Sequence, residues 1–253
     1  MKVNDDLLVL ELSANLMGGP TLIHPVVIVD EAMGLTLVDA GLPGMADAIG
    51  ALLSEQGLKL SDIKRVIITH HDLDHIGSVP AVVEASGAQV WAPEREIPFL
   101  EGREWPQKMP TPQQADQLLA DPNVPQARKE MIKQMSGMKP VTLKVDRALK
   151  DGEVLPMAGG VRVVTTPGHT FGHASLYLER HQTLITGDAL SSSAGQLSGP
   201  FPAGTADMKT AGESVNKLAG LDVQTIVTYH GGVVSEEASG QLKQVAGQMA
   251  AAN

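Results

Sequence analysis

The sequence predicts an α+β fold, a four-layer αββα sandwich of two mixed β-sheets flanked by helices, with an inserted helical lid segment. Three observations predict it. Strand-like and helix-like text alternates through residues 7–92. A proline-rich, charged stretch at 93–140 breaks that rhythm. Short strand-like runs resume after residue 141 and are interleaved with two helix-like segments near the end. A chain of 253 residues can bury a sizeable core as one large domain or two small ones.

In order, residues 7–12 and 26–30 are aliphatic or β-branched runs, and 35–39 follows a turn-like 31–34, which predicts a hairpin. Residues 45–56 carry Ala48, Ile49, Leu52 and Leu53 at helical spacing and stop at Gly57, a suitable C-cap. A buried strand is predicted at 66–69, a helix at 79–85 and a strand at 89–92. The 93–140 stretch holds eight prolines, with helical patches near 113–120 and 126–135. Leu118, Leu119, Met131, Ile132 and Met135 give it something to bury, so it reads as a helical insertion and not a linker. Met131, Met135 and Met138 suit packing, since a thioether is a soft donor. Strands then follow at 154–156, 161–165, 174–178, 183–186 and 225–228, with helices at 207–218 and 235–251.

Composition removes several function classes. Nineteen Lys plus Arg against 29 Asp plus Glu leave a net charge of −10, which disfavours a nucleic-acid partner. No apolar run is long enough to span a membrane, and residues 1–12 lack the features of a signal peptide, so a cytoplasmic location is expected. The absence of cysteine excludes disulfides, thiolate zinc sites, iron–sulfur clusters and a cysteine nucleophile. A metal would have to be held by His and carboxylate.

The histidines supply that possibility. Six of the eight fall at 70–75, 169–173 and 230. Thr69-His70-His71-Asp72-Leu73-Asp74-His75 follows the predicted strand at 66–69, and its side chains at 70, 72, 74 and 75 can converge as two pairs. Imidazole with carboxylate suits zinc, iron or manganese. The plainer alternative is a polar turn in which Asp72 or Asp74 caps a helix. His169 follows the strand at 161–165, Asp188 follows 183–186, and His230 ends 225–228, so each stands where loops gather at strand ends.

With these motifs in order, the chain resembles the metallo-β-lactamase-fold superfamily of hydrolases, whose pattern is His-x-His-x-Asp-His, then His, Asp and His. The segment from Val38 to Gly44 resembles that family's early strand-to-loop region. The resemblance implies one metal held by His70, Asp72 and His169, a second held by Asp74, His75 and His230, and Asp188 bridging them. It implies two divalent ions, zinc first, with iron or manganese as alternatives. A bridging hydroxide would attack the carbonyl of a small ester, lactone or thioester, with Asp74 as ligand and proton acceptor. The fold would be a single domain over 1–253, with 93–140 covering the active site.

Asp72 departs from the pattern, which has His there. Its charge makes the centre formally neutral, hence a weaker Lewis acid and a better host for harder ions. His71 is expected to point to the pocket rim or into packing. Asp39 and His173 are candidates for orienting ligands, and Tyr229 for donating to a substrate oxygen, with core packing as its alternative. His24 and His181 read as structural. The competing functions are an iron-dependent oxygenase on the same fold and a metal-binding protein without turnover. The expected partner is a small molecule, with neither nucleic acid nor membrane, and the sequence leaves a homodimer open.

Overall fold

The computed structural model describes residues 1–16, 19–136 and 140–252. Its first sheet runs, in spatial order, Lys2–Asn4, Leu7–Val9, Val26–Ile28, Leu35–Val38, Ile63–Ile67, Gln89–Pro93 and Arg147–Leu149. The second runs Val154–Leu155, Val161–Thr165, Ala174–Leu178, Thr183–Ile185, Thr225–Thr228 and Gly232–Val234. Both are mixed. Val26–Ile28 and Leu35–Val38 form the predicted antiparallel hairpin, whereas Leu35–Val38, Ile63–Ile67 and Gln89–Pro93 are parallel neighbours. In the second sheet Thr183–Ile185 and Thr225–Thr228 are parallel.

Three apolar clusters explain the layering. Between the sheets, Leu7, Val26, Ile28, Val38 and Ile67 meet Leu155, Val163, Leu176, Ile185 and Val227. On the outer face of the first sheet, Val27, Leu37 and Val66 pack against Ile49 and Leu53 of the helix Ala46–Ser54 and Val79 and Val82 of Val79–Ser86. The outer face of the second sheet meets Val215 and Leu218 of Met208–Leu218 and Leu242 and Val245 of Ala238–Ala252. With both faces covered, the central strands are continuously apolar and buried, as Val26–Ile28 is. The αββα arrangement is thus the expected one.

Several elements differ from expectation. The run at 7–12 is interrupted, and Leu12–Leu16 pairs instead with Gly19–Ile23 as a separate hairpin. Pro20 and exposed Leu22 place that hairpin at the molecular surface. The strand predicted at 66–69 is Ile63–Ile67, so Thr69 already belongs to the loop. Asp207 caps Met208–Leu218, its carboxylate accepting from the backbone N–H of Lys209 and Thr210.

Between Gln89–Pro93 and Arg147–Leu149 lie the helices Ile97–Leu100, Pro112–Ala120 and Gln126–Ser136. Ala115 and Ile132 are buried there, while Leu118 and Leu119 are only partly covered. Met138 and the side chains of Met131 and Met135 lie outside the described residues. No helix among the described residues is long and apolar enough to cross a membrane.

Candidate metal centre

Parallel strands deliver their following loops to one edge of a sheet, and both sheets do so here. Asp39 and residues 69–75 emerge after Leu35–Val38 and Ile63–Ile67. Asp188 and His230 emerge after Thr183–Ile185 and Thr225–Thr228, and His169 lies in the loop after Val161–Thr165. A hydrogen bond from Ala174 N–H to the Thr69 carbonyl, 3.1 Å, ties the two loop sets together.

Asp72 occupies the N-cap position of the short helix Leu73–Ile76, but its side chain makes no capping bond. Its Oδ2 instead lies 3.2 Å from His70 Nε2 and 3.1 Å from His169 Nε2. Asp74 Oδ2 is 3.3 Å from His230 Nε2 and 3.8 Å from His75 Nε2. Asp188 stands between the groups: Oδ1 is 3.3 Å from His75 Nε2, and Oδ2 is 3.3 Å from His169 Nε2 and 3.4 Å from His230 Nε2. In a tetrahedral site with bonds of ~2.0–2.1 Å, neighbouring ligand atoms are about 3.3 Å apart. The triads His70–Asp72–His169, Asp74–His75–His230 and His70–His75–Asp188 could therefore each hold an ion.

Orientation supports the same chemistry. Thr69 Oγ1 donates to Asp39 Oδ2 at 2.7 Å and accepts from His70 Nδ1–H at 3.0 Å. His75 Nδ1–H donates to Asp39 Oδ2 at 2.8 Å. Both tautomers are thereby set with the Nε2 lone pair toward the centre. Among the described residues, His70 Nε2, His75 Nε2 and Asp188 Oδ1, with Gln107 Nε2, are buried with no hydrogen-bond partner, and the first three are atoms of the kind that ligate a metal. Asp39 adopts a positive φ of 59°, and its three accepted bonds hold that conformation in place.

His173 lies behind Asp188: its Nε2 accepts from the Asp188 N–H at 3.0 Å and its Nδ1–H donates to Thr166 Oγ1 at 2.8 Å. Burial, then the neighbouring His169, pushes it down to about 3, so it is neutral. Gly187 permits this approach, because a Cβ there would come within 2.7 Å of His173 Nε2. Burial opposes charge on Asp188, but His75, His230 and His169 hold its carboxyl well below the usual range. Burial likewise opposes protonation of His230, yet Asp188 and Asp74 raise it to about 9.

Of the two expectations for Tyr229, its surroundings match core packing: it is buried, its hydroxyl donates to the Asp74 carbonyl at 2.5 Å and its ring stacks on His75 at 3.8 Å, which commits the hydroxyl proton away from the cleft. His24, read as structural, bonds the Tyr229 carbonyl through Nδ1 at 3.1 Å and also lines the cleft. His181 bonds Asp6 at 2.8 Å, a contact that suits its structural reading.

Sequence reasoning missed Glu96, Gln107 and Lys108. Glu96 is fully buried and accepts from His71 N–H at 2.9 Å, His71 Nδ1–H at 2.5 Å and Thr170 Oγ1 at 2.7 Å. His71 stacks on Phe99 at 4.7 Å, so it turns away from His70 as expected. Lys108 donates to Asp72 Oδ2. No local pattern announces these three residues.

The centre lies in a cleft of about 1110 Å³. Its walls include Leu16 and Leu22 of the surface hairpin, Phe99 and Met109 of the 93–140 stretch, and Phe201. Residues 19–230 match the model of the metallo-beta-lactamase superfamily. The chain belongs to that superfamily. It is 29% identical over 221 residues to the probable metallo-hydrolase YflN of Bacillus subtilis, covering 79% of this chain and 76% of that one. It is 28% identical over 201 residues to a hydroxyacylglutathione hydrolase of Fuscovulum blasticum, covering 78% of this chain and 58% of the relative. Among solved structures, a metallo-beta-lactamase family protein from Thermus thermophilus aligns with a TM-score of 0.76 and 25% identity over 99% of this chain and 81% of that one. A subclass B3 metallo-beta-lactamase of Bradyrhizobium japonicum shares the fold, with a TM-score of 0.67 and 20% identity over 100% and 90% of the two chains.

Proposed function

We propose that the chain is a dinuclear metal-dependent hydrolase acting on a small ester, lactone or thioester. The observation that carries this reading is the pair of triads on either side of Asp188, with buried, unpartnered Nε2 atoms aimed into one space at the floor of the cleft. His70, Asp72 and His169 would hold one ion and Asp74, His75 and His230 the other, with Asp188 between. Bound zinc, or iron or manganese, supplies Lewis acidity that brings a water from a pKa of ~15.7 toward ~7 and polarises a carbonyl.

The chain's own residues supply placement. Asp39 and Thr69 fix the tautomers of His70 and His75, His173 fixes the Asp188 backbone, and Tyr229 fixes the Asp74 carbonyl. Asp74 lies 3.3 Å from His230 and on the cleft wall, and in this reading it would accept a proton from an attacking water. Leu16, Leu22, Phe99, Met109 and Phe201 give the cleft an apolar wall suited to an uncharged organic group beside the reacting carbonyl. The 93–140 stretch contributes part of that wall and would act as a lid that selects substrate.

Metal analysis of protein purified without added metal, followed by ester, lactone and thioester panels, tests this reading. Metal-dependent hydrolysis of at least one class is expected. Oxygen consumption without hydrolysis would favour the oxygenase, and silence in both assays a binding protein.

A further inference from the structure

Lys108 reaches from the 93–140 stretch onto the candidate ligands Asp72 and His169. Among the described residues it is the only lysine or arginine paired with any of the seven candidate ligands. Its ammonium donates to Asp72 Oδ2, lies 2.6 Å from His169 Nε2 and donates to the Gly204 carbonyl at 3.0 Å. The side chain is 22% exposed, so these contacts are made in a largely desolvated position.

The approach is held from its own backbone. Gln107, the preceding residue, donates its N–H to His71 Nε2 at 3.3 Å and accepts from the Phe171 N–H through Oε1 at 3.0 Å. His71 is anchored in turn by buried Glu96. The 93–140 stretch is thus pinned to both ligand-bearing loops immediately beside Lys108.

The lone pairs Lys108 engages are those a first-site ion would need, because Asp72 Oδ2 lies 3.2 Å from His70 Nε2 and 3.1 Å from His169 Nε2. A divalent ion and an ammonium cannot both be seated on the same carboxylate oxygen and imidazole without strong repulsion. The second triad, Asp74–His75–His230, meets no such cation among the described residues.

We propose that Lys108 competes with metal for the His70–Asp72–His169 site, so that the chain fills the Asp74–His75–His230 site first and the other only by displacing Lys108 into the cleft. This rests on the two-site reading above. The two sites are then inequivalent by construction, and the insert senses occupancy of the first through one side chain.

Titration of the chelator-stripped full chain with Zn²⁺ against a chromophoric competitor tests it. Wild type should load in two steps whose affinities differ at least tenfold. Lys108→Met should tighten the weaker step tenfold or more and leave the stronger within twofold, whereas Lys108→Arg should keep the wild-type gap. His169→Ala should abolish the weaker step alone. Two equal steps in wild type, an unchanged or weakened second step in Lys108→Met, or loss of the stronger step in His169→Ala would each overturn the proposal. Where Lys108→Met fails to fold, Lys108→Gln, which also removes the charge, carries the same prediction, and two equal steps in wild type overturn the proposal without either variant. Absence of binding to zinc and, in the same titration, to Fe²⁺ and Mn²⁺ would instead overturn the proposed metal-dependent hydrolase.

Discussion

At the scale of single residues, the centre depends on buried polar groups that never face the cleft. Glu96 accepts three hydrogen bonds at zero exposure, and removing the carboxylate leaves His71 N–H, His71 Nδ1–H and Thr170 Oγ1 without their acceptor. Glu96→Ala should therefore cost about 3–5 kcal/mol in urea unfolding, and Glu96→Gln, which keeps an acceptor, distinctly less. His173 makes a pH prediction with a definite sign. Held down to about 3 in the fold against 6.5 unfolded, it is neutral in both states above pH 6.5 and has no effect there. Below 6.5 the unfolded chain takes up a proton that the native chain refuses, so stability falls until about pH 3. Between pH 7.5 and 5, chelator-treated wild type should lose about 2 kcal/mol more than His173→Gln. An equal loss in the two proteins would show that His173 is protonated in the native state.

Elements set where those residues point, and here glycines matter at two places. Gly231 has φ 125°, and a Cβ on it would stand 1.9 Å from the Ser192 carbonyl oxygen, so no side chain fits without moving the loop that carries His230. Gly231→Ala should destabilise the chain by roughly 2 kcal/mol or more and weaken zinc binding, measured by unfolding and by metal titration. Gly187 plays the matching part between His173 and Asp188. Much at this scale was legible in the sequence: Val161–Thr165, Ala174–Leu178 and Thr225–Thr228 stand where expected, because runs rich in β-branched and aliphatic residues between turn signals leave little choice. The helix Leu73–Ile76 was not legible, since four residues contain barely one turn and no period. The hairpin Leu12–Leu16 with Gly19–Ile23 was obscured by Pro20 and by polar Ser13 and Asn15, which suit a surface hairpin and weaken any strand signal.

The whole molecule brings together side chains that stand far apart in the chain. The ordered His and Asp positions after strand ends could be read from sequence, because each motif is short. Lys108 with Asp72, Glu96 with Thr170 and Tyr229 with Asp74 could not, as they are 36, 74 and 155 residues apart and depend on how the two sheets and the 93–140 stretch assemble. Since the candidate ligands come from both sheets, metal should stabilise the fold as a unit: free zinc at a hundred times its Kd adds about 2.7 kcal/mol per site. A single cooperative transition at higher temperature is the expected thermal profile, and an unchanged midpoint would contradict it. A dinuclear centre is tested most directly by the number of ions the folded chain holds. Native mass spectrometry after reconstitution with zinc should show two ions per wild-type chain and fewer in Asp188→Ala. A wild-type chain that takes up one ion, or none, would contradict the dinuclear centre.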